Sequence, residues 1–510
     1  MLTRLKVSGF KNLVDVDISF GAFTCIAGEN GVGKSNLFDA IRFLSASADH
    51  SLIEAARKVR DDAGNGWDVR SLFHRAGNLI ENELHFEAEM IIPISGRDDI
   101  TFSPVKATST LLRYQLSLQY DATSSTHPLR ILSEDLIPIQ RGLRNSILRF
   151  PKSKDWTDSV VMGRRTVPYI STPVSTESPI VHLHQDRQSG KASGGRSFQH
   201  SAASLNRTVL SLANSAETPT TLLAKREMQS WRLLQLEPSA LRQQDSFLSP
   251  SRLGTNGAHL PATLFRLANR NENSQPLQIT AEAQVYARVA NRLHELLGEV
   301  KRVRVDRDDK RDLLTLEVIN RDETAFPAKS LSDGTLRFLA LSILAEDPEA
   351  DGVICFEEPE NGIHPHRIPA ILELLEDIAV DTSCAVDDDN PLRQVIINTH
   401  SPGVVGGVSE NDLVFARPMD TVREGHRFDR LQFTYLTGTW RASLVQHSLT
   451  TKGEMVHYLR PVHPDAAEEP GGTDRTAKAA NSPLSGRKLV RRVADRPDMR
   501  SLFEDIVEPA

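Results

Sequence analysis

Eight consecutive residues, Gly28-Glu29-Asn30-Gly31-Val32-Gly33-Lys34-Ser35, match the pattern G-x-x-x-x-G-K-[ST]. Their types and spacing suit one task, the wrapping of a phosphate chain. Glycines let successive backbone N–H groups turn toward an anion, and the positive end of a helix starting near Lys34 adds to the attraction. Lys34 can reach β and γ oxygens, the Ser35 hydroxyl can ligate Mg2+, and Asn30 and Asn36 flank the cradle. A phosphate loop of this kind works only between a strand and a helix.

A second group of residues lies far along the chain. Val353-Ile354-Cys355-Phe356-Glu357-Glu358-Pro359-Glu360 places two carboxylates at the end of an apolar run, where an open α/β sheet presents its ligands. Glu357 is assigned to the metal and Glu358 to orienting or deprotonating an attacking water. Glu357 is longer than the Asp usual on the metal side, which argues for an outer-sphere arrangement or a different metal distance. An acidic cluster on the surface after a strand is the plainer alternative. Lys329-Ser330-Leu331-Ser332-Asp333-Gly334-Thr335 precedes an apolar helix, so Ser332 and Gly334 sit at a helix N-terminus, where ordinary capping would also place them. Asn398-Thr399-His400-Ser401-Pro402 follows another apolar run.

The elements that must position these groups can be read from periodicity. Val14, Val16, Ile18 and Phe20 alternate with polar residues as in a half-buried strand, and Phe23–Ala27 is an apolar run ending at the phosphate loop. Beyond it Leu37, Ile41 and Leu44 recur at helical spacing. Residues 83–92 and 111–119 predict strands, and 185–201 (QDRQSGKASGGRSFQHS) predicts a mobile loop. A helix is predicted from Thr280 to a stop at Gly298, then a hairpin over 300–319. Its six Lys/Arg and four Asp within 301–312 read as a solvated ribbon or a nucleic-acid contact. Strand 353–356, a helical stripe of Ile368, Ile371, Leu372, Leu375 and Ile378, and strand 395–397 predict parallel α/β architecture. Five regions are expected: an N-terminal lobe with the phosphate loop (1–150), an inserted lobe (151–275), a second part carrying the other motifs (276–415), a β extension (416–460), and a linker and tail (461–510) with a short helix at 499–506.

The chain has 510 residues, 39% hydrophobic and 25% charged, with a formal net charge of −7, which excludes collagenous and wholly disordered chains. No global basic field marks a nucleic-acid binder. No run reaches the roughly 18 apolar residues of a membrane span, so a cytoplasmic protein without a membrane partner is expected. Cys25, Cys355 and Cys384 lack metal-like spacing and read as small hydrophobes. His182 and His184 share a strand face without accompanying Cys or acidic ligands, and His364 with His366 sits beside the carboxylates but reads, within the motif order, as loop geometry rather than a zinc site.

The order phosphate loop, Leu331–Thr335, paired carboxylates, His400 resembles an ABC-type ATPase head of the RecF, SMC and OLD-nuclease group. It is most similar to the coiled-coil-free AAA-family ATPases of bacterial phage-defence operons. The resemblance covers about 2–44 and 331–401, and loosely 254–267. It implies an α/β P-loop NTPase head with a mixed β lobe, a parallel-sheet core and an inserted lobe, binding ATP and Mg2+. Leu331–Thr335 is then the signature that crosses a dimer interface, with Ser332 and Gly334 donating to γ-phosphate on the opposite subunit. Pro359–Pro365 becomes the D-loop, with Asn361 near the partner's site, His400 the γ-phosphate sensor, and Lys11 a phosphate contact.

This chain departs from transporter signatures at Asp333 and Thr335, and no Q-loop glutamine is assigned. No heptads occur between the phosphate loop and the signature, so no coiled-coil arm is expected. No strand-borne carboxylate set of a TOPRIM nuclease domain follows Gly403, so no nuclease activity is expected. The resemblance implies a homodimer or higher even-numbered homo-oligomer controlling a separate nuclease or toxin. A RecF-like DNA-binding repair ATPase and an ATP-loaded scaffold with little turnover are the alternatives.

Overall fold

The computed structural model describes residues 1–59, 68–98, 102–124, 127–163, 165–173, 179–186, 197–269, 279–423, 425–444, 449–451, 454–455 and 492–496. The chain opens with β1 (Leu2–Ser8), β2 (Val16–Ser19) and β3 (Phe23–Ala27), and the phosphate loop leads into α1 (Lys34–Ser47). Strands β4 (Glu83–Ile91), β5 (Leu111–Tyr120), β6 (Leu129–Pro138), β7 (Ile170–Ser171), β8 (Ile180–His184) and β9 (Ser197–Ser201) follow. With β1 and β2 they form an eight-stranded antiparallel sheet ordered β9-β8-β7-β6-β5-β4-β1-β2.

Helix α2 (Pro219–Gln229) leads to the short β10 (Arg232–Leu234). Helices α3 (Leu260–Asn269) and α4 (Ile279–Leu297) precede the hairpin β11 (Val300–Asp308) and β12 (Leu313–Asn320). The remaining core elements are α5 (Asp333–Glu346), β13 (Gly352–Glu357), α6 (Ile368–Ile378), β14 (Arg393–Thr399), β15 (Leu413–Arg423) and β16 (His426–Thr434).

The central sheet runs β10-β13-β14-β3-β15-β16, parallel throughout except for β16. Its inner strands are buried on both faces, which is why Phe23–Ala27 and residues 353–356 read as uninterrupted apolar runs. Alternate residues feed two different cores. Ile26, Val353, Cys355, Ile396 and Val414 pack with α1 and the eight-stranded sheet. Cys25, Ile354, Phe356, Val395 and Ile397 pack with α3 to α6 on the other side. Cys25 and Cys355 are therefore interior, and burial pushes both thiols above their ordinary pKa, whereas Cys384 is exposed. The register of β13, β14 and β3 pairs Glu357 with Asn398 and Thr399 with Ala27. The carboxyl ends of these strands thus stop in one row, where a doubly wound sheet binds ligands.

Several elements differ from the sequence expectation. Within the loop expected over 185–201, residues 197–201 are a strand, because they complete the eight-stranded sheet on β8; 187–196 lie outside the described residues. That sheet runs without interruption across position 150/151, and β15 runs across 415/416 because Leu413–Phe415 pairs with β3 in the core. The expected helix at 499–506, and the tail apart from 492–496, lie outside the described residues. The charged hairpin β11–β12 forms as expected, and its cations are matched locally: Lys301 and Arg302 by Glu323, Arg304 by Glu317. Among the described residues no helix is long and apolar enough to cross a membrane.

Candidate functional site

The phosphate loop takes its shape from two glycines with different duties. Gly33 caps α1 at φ 101°, in the left-handed region that a side chain resists, and a Cβ there would meet the Asn12 side chain at 2.2 Å. Gly28 lies against β15, where a Cβ would stand 2.4 Å from the Ala416 carbonyl oxygen. Asn12 ties the loop to the β1–β2 connection: its amide donates to the Val32 carbonyl at 2.9 Å and its oxygen accepts from Asn36 at 2.8 Å. Lys34 is buried, and its ammonium donates to the carbonyls of Gly28 (2.6 Å) and Glu29 (2.8 Å). Burial lowers its pKa from the ordinary lysine value, while the carboxylates of Glu358, Glu360, Glu29 and Glu357 oppose that shift.

A cleft of about 690 Å³ joins this loop to the ends of β13 and β14. Asn30, Gly31, Gly33, Lys34, Ser35 and Asn36 line one side; Glu357, Glu358, Asn361 and Asn398 line the other. Glu358 is held on three sides. Its N–H donates to the carbonyl (3.1 Å) and the side-chain oxygen (3.0 Å) of Asn398, one carboxylate oxygen accepts from Asn361 at 2.6 Å, and the other pairs with His400 Nδ1 at 2.7 Å. Its φ of 46° is left-handed for a residue that is not glycine. Glu360 beneath it is buried, with a carboxyl pushed above the usual range by desolvation, and it accepts from the Thr399 hydroxyl.

The structure adds a cleft residue that the sequence left unassigned. Gln235 follows β10 directly, and its amide donates to Glu357 Oε2 at 2.7 Å. The signal lay in Trp231-Arg232-Leu233-Leu234-Gln235, a short apolar run ending in glutamine, which becomes meaningful only once β10 pairs in parallel with β13. Arg337 of α5 also lines the cleft.

Three residues singled out in the sequence lie elsewhere. Lys11, at φ 50°, pairs with Asp39 of α1 and lines a separate cavity of about 330 Å³. Ser332 caps α5, accepting from the Thr335 N–H at 3.2 Å, and is exposed to solvent. Gly334 comes close to the loop after β13, since a Cβ there would be 3.1 Å from the Gly362 carbonyl oxygen. Neither Ser332 nor Gly334 lines the cleft of its own chain.

The cleft fits a triphosphate with a hard cation. A helix N-terminus and a lysine face it, and the Ser35 hydroxyl, the Gln235 amide and the Glu357 carboxylate are oxygen donors of the kind Mg2+ takes. Among the described residues no group of three or more His, Cys, Asp or Glu is arranged to hold a metal ion by itself.

Comparison with known proteins shows the family to which the chain belongs. Residues 23–161 and 121–406 match the family described as "AAA domain, putative AbiEii toxin, Type IV TA system". The DNA replication and repair protein RecF of Lactobacillus delbrueckii subsp. bulgaricus is 33% identical over 187 residues, covering 32% of this chain and 46% of that protein. RecF of Bacteroides thetaiotaomicron is 48% identical over 46 residues, 9% of this chain and 12% of that one. The chain thus spans less than half the length of these relatives. Among solved structures, an SMC head bound to the C-winged helix domain of ScpA aligns at 12% identity over 87% of this chain and 99% of its own, with a TM-score of 0.42. The SMC head from Thermotoga maritima aligns at 11% identity over 85% and 99%, with a TM-score of 0.34.

The two glycine environments generate a contrast. Gly28→Ala forces a methyl onto a backbone oxygen that cannot yield, and it should destabilise the fold by about 1–3 kcal/mol and weaken nucleotide binding. Gly31→Ala, with φ 84° but nothing within 4 Å, should cost only backbone strain of about 1–2 kcal/mol. Urea unfolding and equilibrium nucleotide titration of both variants check this; a Gly28→Ala chain with unchanged stability and unchanged nucleotide affinity would contradict it.

Proposed function

The chain belongs to that AAA-domain family and is an ABC-type P-loop ATPase of the RecF/SMC group, and from this premise we propose that it hydrolyses ATP between two copies of itself. The observation that carries the reading is the Glu358 carboxylate, clasped by Asn361 and His400 across one cleft from Lys34. A carboxylate so fixed can accept a proton from water attacking γ-phosphate, and His400 keeps its oxygens from turning away. Mg2+, with Ser35, Gln235 and Glu357 to hold it, would neutralise charge on the β and γ oxygens. On binding a triphosphate, Lys34 exchanges the Gly28 and Glu29 carbonyls for phosphate oxygens.

The other half of the site comes from a second copy. Exposure of Ser332 at the N-terminus of α5, outside its own cleft, supports a role for Ser332 and Gly334 on the partner's γ-phosphate. ATP then favours the closed pair because it meets both copies, and a ligand shifts an equilibrium by its differential affinity for the two states. The dimer would act as a sensor and scaffold for a separate effector, a nuclease or toxin, in anti-phage defence. The family description, "putative AbiEii toxin, Type IV TA system", is what links the chain to toxin systems; the separate effector is our own step.

Lys34→Ala should abolish phosphate release. Glu358→Gln should slow it by roughly 10²–10⁴-fold and let an ATP-bound dimer accumulate. Phosphate assays with mass measurement of the complex read both, and release unchanged in Lys34→Ala would defeat the ATPase reading. A scaffold with little turnover would assemble identically with or without the Glu358→Gln substitution.

A second reading, a RecF-like ATPase that grips duplex DNA, is favoured by the identity to RecF proteins. It predicts binding that weakens linearly in log–log form with salt as counterions are released. Fluorescence anisotropy between low and high salt measures the slope, and a flat response would remove this reading.

A further inference from the structure

The signature segment carries a carboxylate where a triphosphate is expected to arrive. Asp333 is the first residue of α5, between Ser332 and Gly334, and about half exposed. At the positive end of a helix it stabilises that helix. For the same reason it cancels part of the field that would attract an incoming γ-phosphate, and an unmasked carboxylate beside that phosphate would repel it.

Arg242 answers this charge. It pairs with Asp333, and its Nη2 donates to the Leu331 carbonyl at 3.1 Å, so one guanidinium grips the signature at two points. Arg242 ends a segment that begins at the cleft. Gln235 donates to Glu357, the N–H groups of Gln235 and Glu237 donate to the carbonyls of Thr255 (2.8 Å) and Asn256 (2.9 Å), and the short helix Pro238–Leu241 follows with Ala240 and Leu241 buried. A continuous, pinned stretch therefore runs from the metal-side carboxylate of one cleft to the signature offered to another.

We propose that Arg242 is a positioning residue that masks the Asp333 carboxylate, making an acidic signature compatible with the partner's triphosphate. The proposal rests on the two-copy reading above. Arg242 touches no substrate; it acts through Asp333 and the Leu331 carbonyl. Because it terminates the Gln235 segment, the mask is set by the same piece of chain that meets Glu357.

The test is the ATP-dependent dimerisation of the full chain, followed by analytical ultracentrifugation with Mg2+ and a non-hydrolysable ATP analogue, alongside nucleotide affinity measured at dilutions that keep the chain monomeric. Arg242→Ala should weaken the nucleotide-bound dimer by roughly tenfold or more and leave monomer affinity unchanged. Arg242→Lys, which keeps the charge, should retain most of the dimer. Asp333→Gly in the Arg242→Ala background should restore dimerisation, a rescue that a merely structural role for Arg242 would not give. A dimerising wild type with unimpaired Arg242→Ala, or a double variant as weak as Arg242→Ala, would overturn this proposal alone. A wild type that stays monomeric with the analogue would overturn the two-copy reading and this proposal with it.

Discussion

The site depends on how the chain holds Glu358. A non-glycine residue at φ 46°, followed by a proline that normally keeps its predecessor extended, stores strain of about 1–3 kcal/mol. It persists because the surroundings over-determine it: two acceptors of Asn398 take the one N–H, and Asn361 and His400 take the carboxylate. The partners come from two stretches of chain, the end of β14 with the residue just beyond it (Asn398 and His400) and the turn after β13 (Asn361). The strained backbone therefore converts the parallel register of β13 and β14 into a fixed orientation for one carboxylate. Were that register to slip by a residue, Glu358 would lose Asn398 and the clasp would open.

The central sheet supplies the geometry, and the glycine loop supplies the room. Because β13, β14 and β3 end in a row, Glu357, Asn398 and the phosphate loop converge without any long-range loop having to fold over. Gly28 lets that loop lie directly on β15, and Gly33 lets α1 begin abruptly enough to aim its N-terminus into the cleft. The eight-stranded sheet and the helices α3 to α6 bury the two faces of the central sheet, and they bring the Gln235 segment and the signature within reach of one another.

The part of this that could be read from residues alone was local. The phosphate loop declares itself because strand, glycines, Lys34 and helix are consecutive, and the carboxylates at 357–358 do so because a buried parallel strand is an apolar run that stops. Gln235 stayed hidden because β10 has only three residues and its meaning comes from a partner more than a hundred positions away, too distant for periodicity to report. Lys11 was legible as a basic position in Gly9-Phe10-Lys11-Asn12, whereas its pairing with Asp39 of α1 was not, because that carboxylate comes within reach only once the fold is formed. The 415/416 division passes through β15 because which strand completes a sheet edge is decided by tertiary pairing. Asp333 read as a departure from a transporter pattern, and only the structure shows that a cation answers it.

Whether the ATP site is shared between copies can be measured by mixing two inactive chains. Lys34→Ala removes the cradle side and Ser332→Arg removes the signature side, so each homodimer should release no phosphate. A mixture forms heterodimers in which one site keeps Lys34 from one copy and Ser332 from the other, and phosphate release should reappear as the second chain is titrated into the first. If the mixture co-assembles yet stays silent, the two halves do not meet across copies and the shared-site account is wrong.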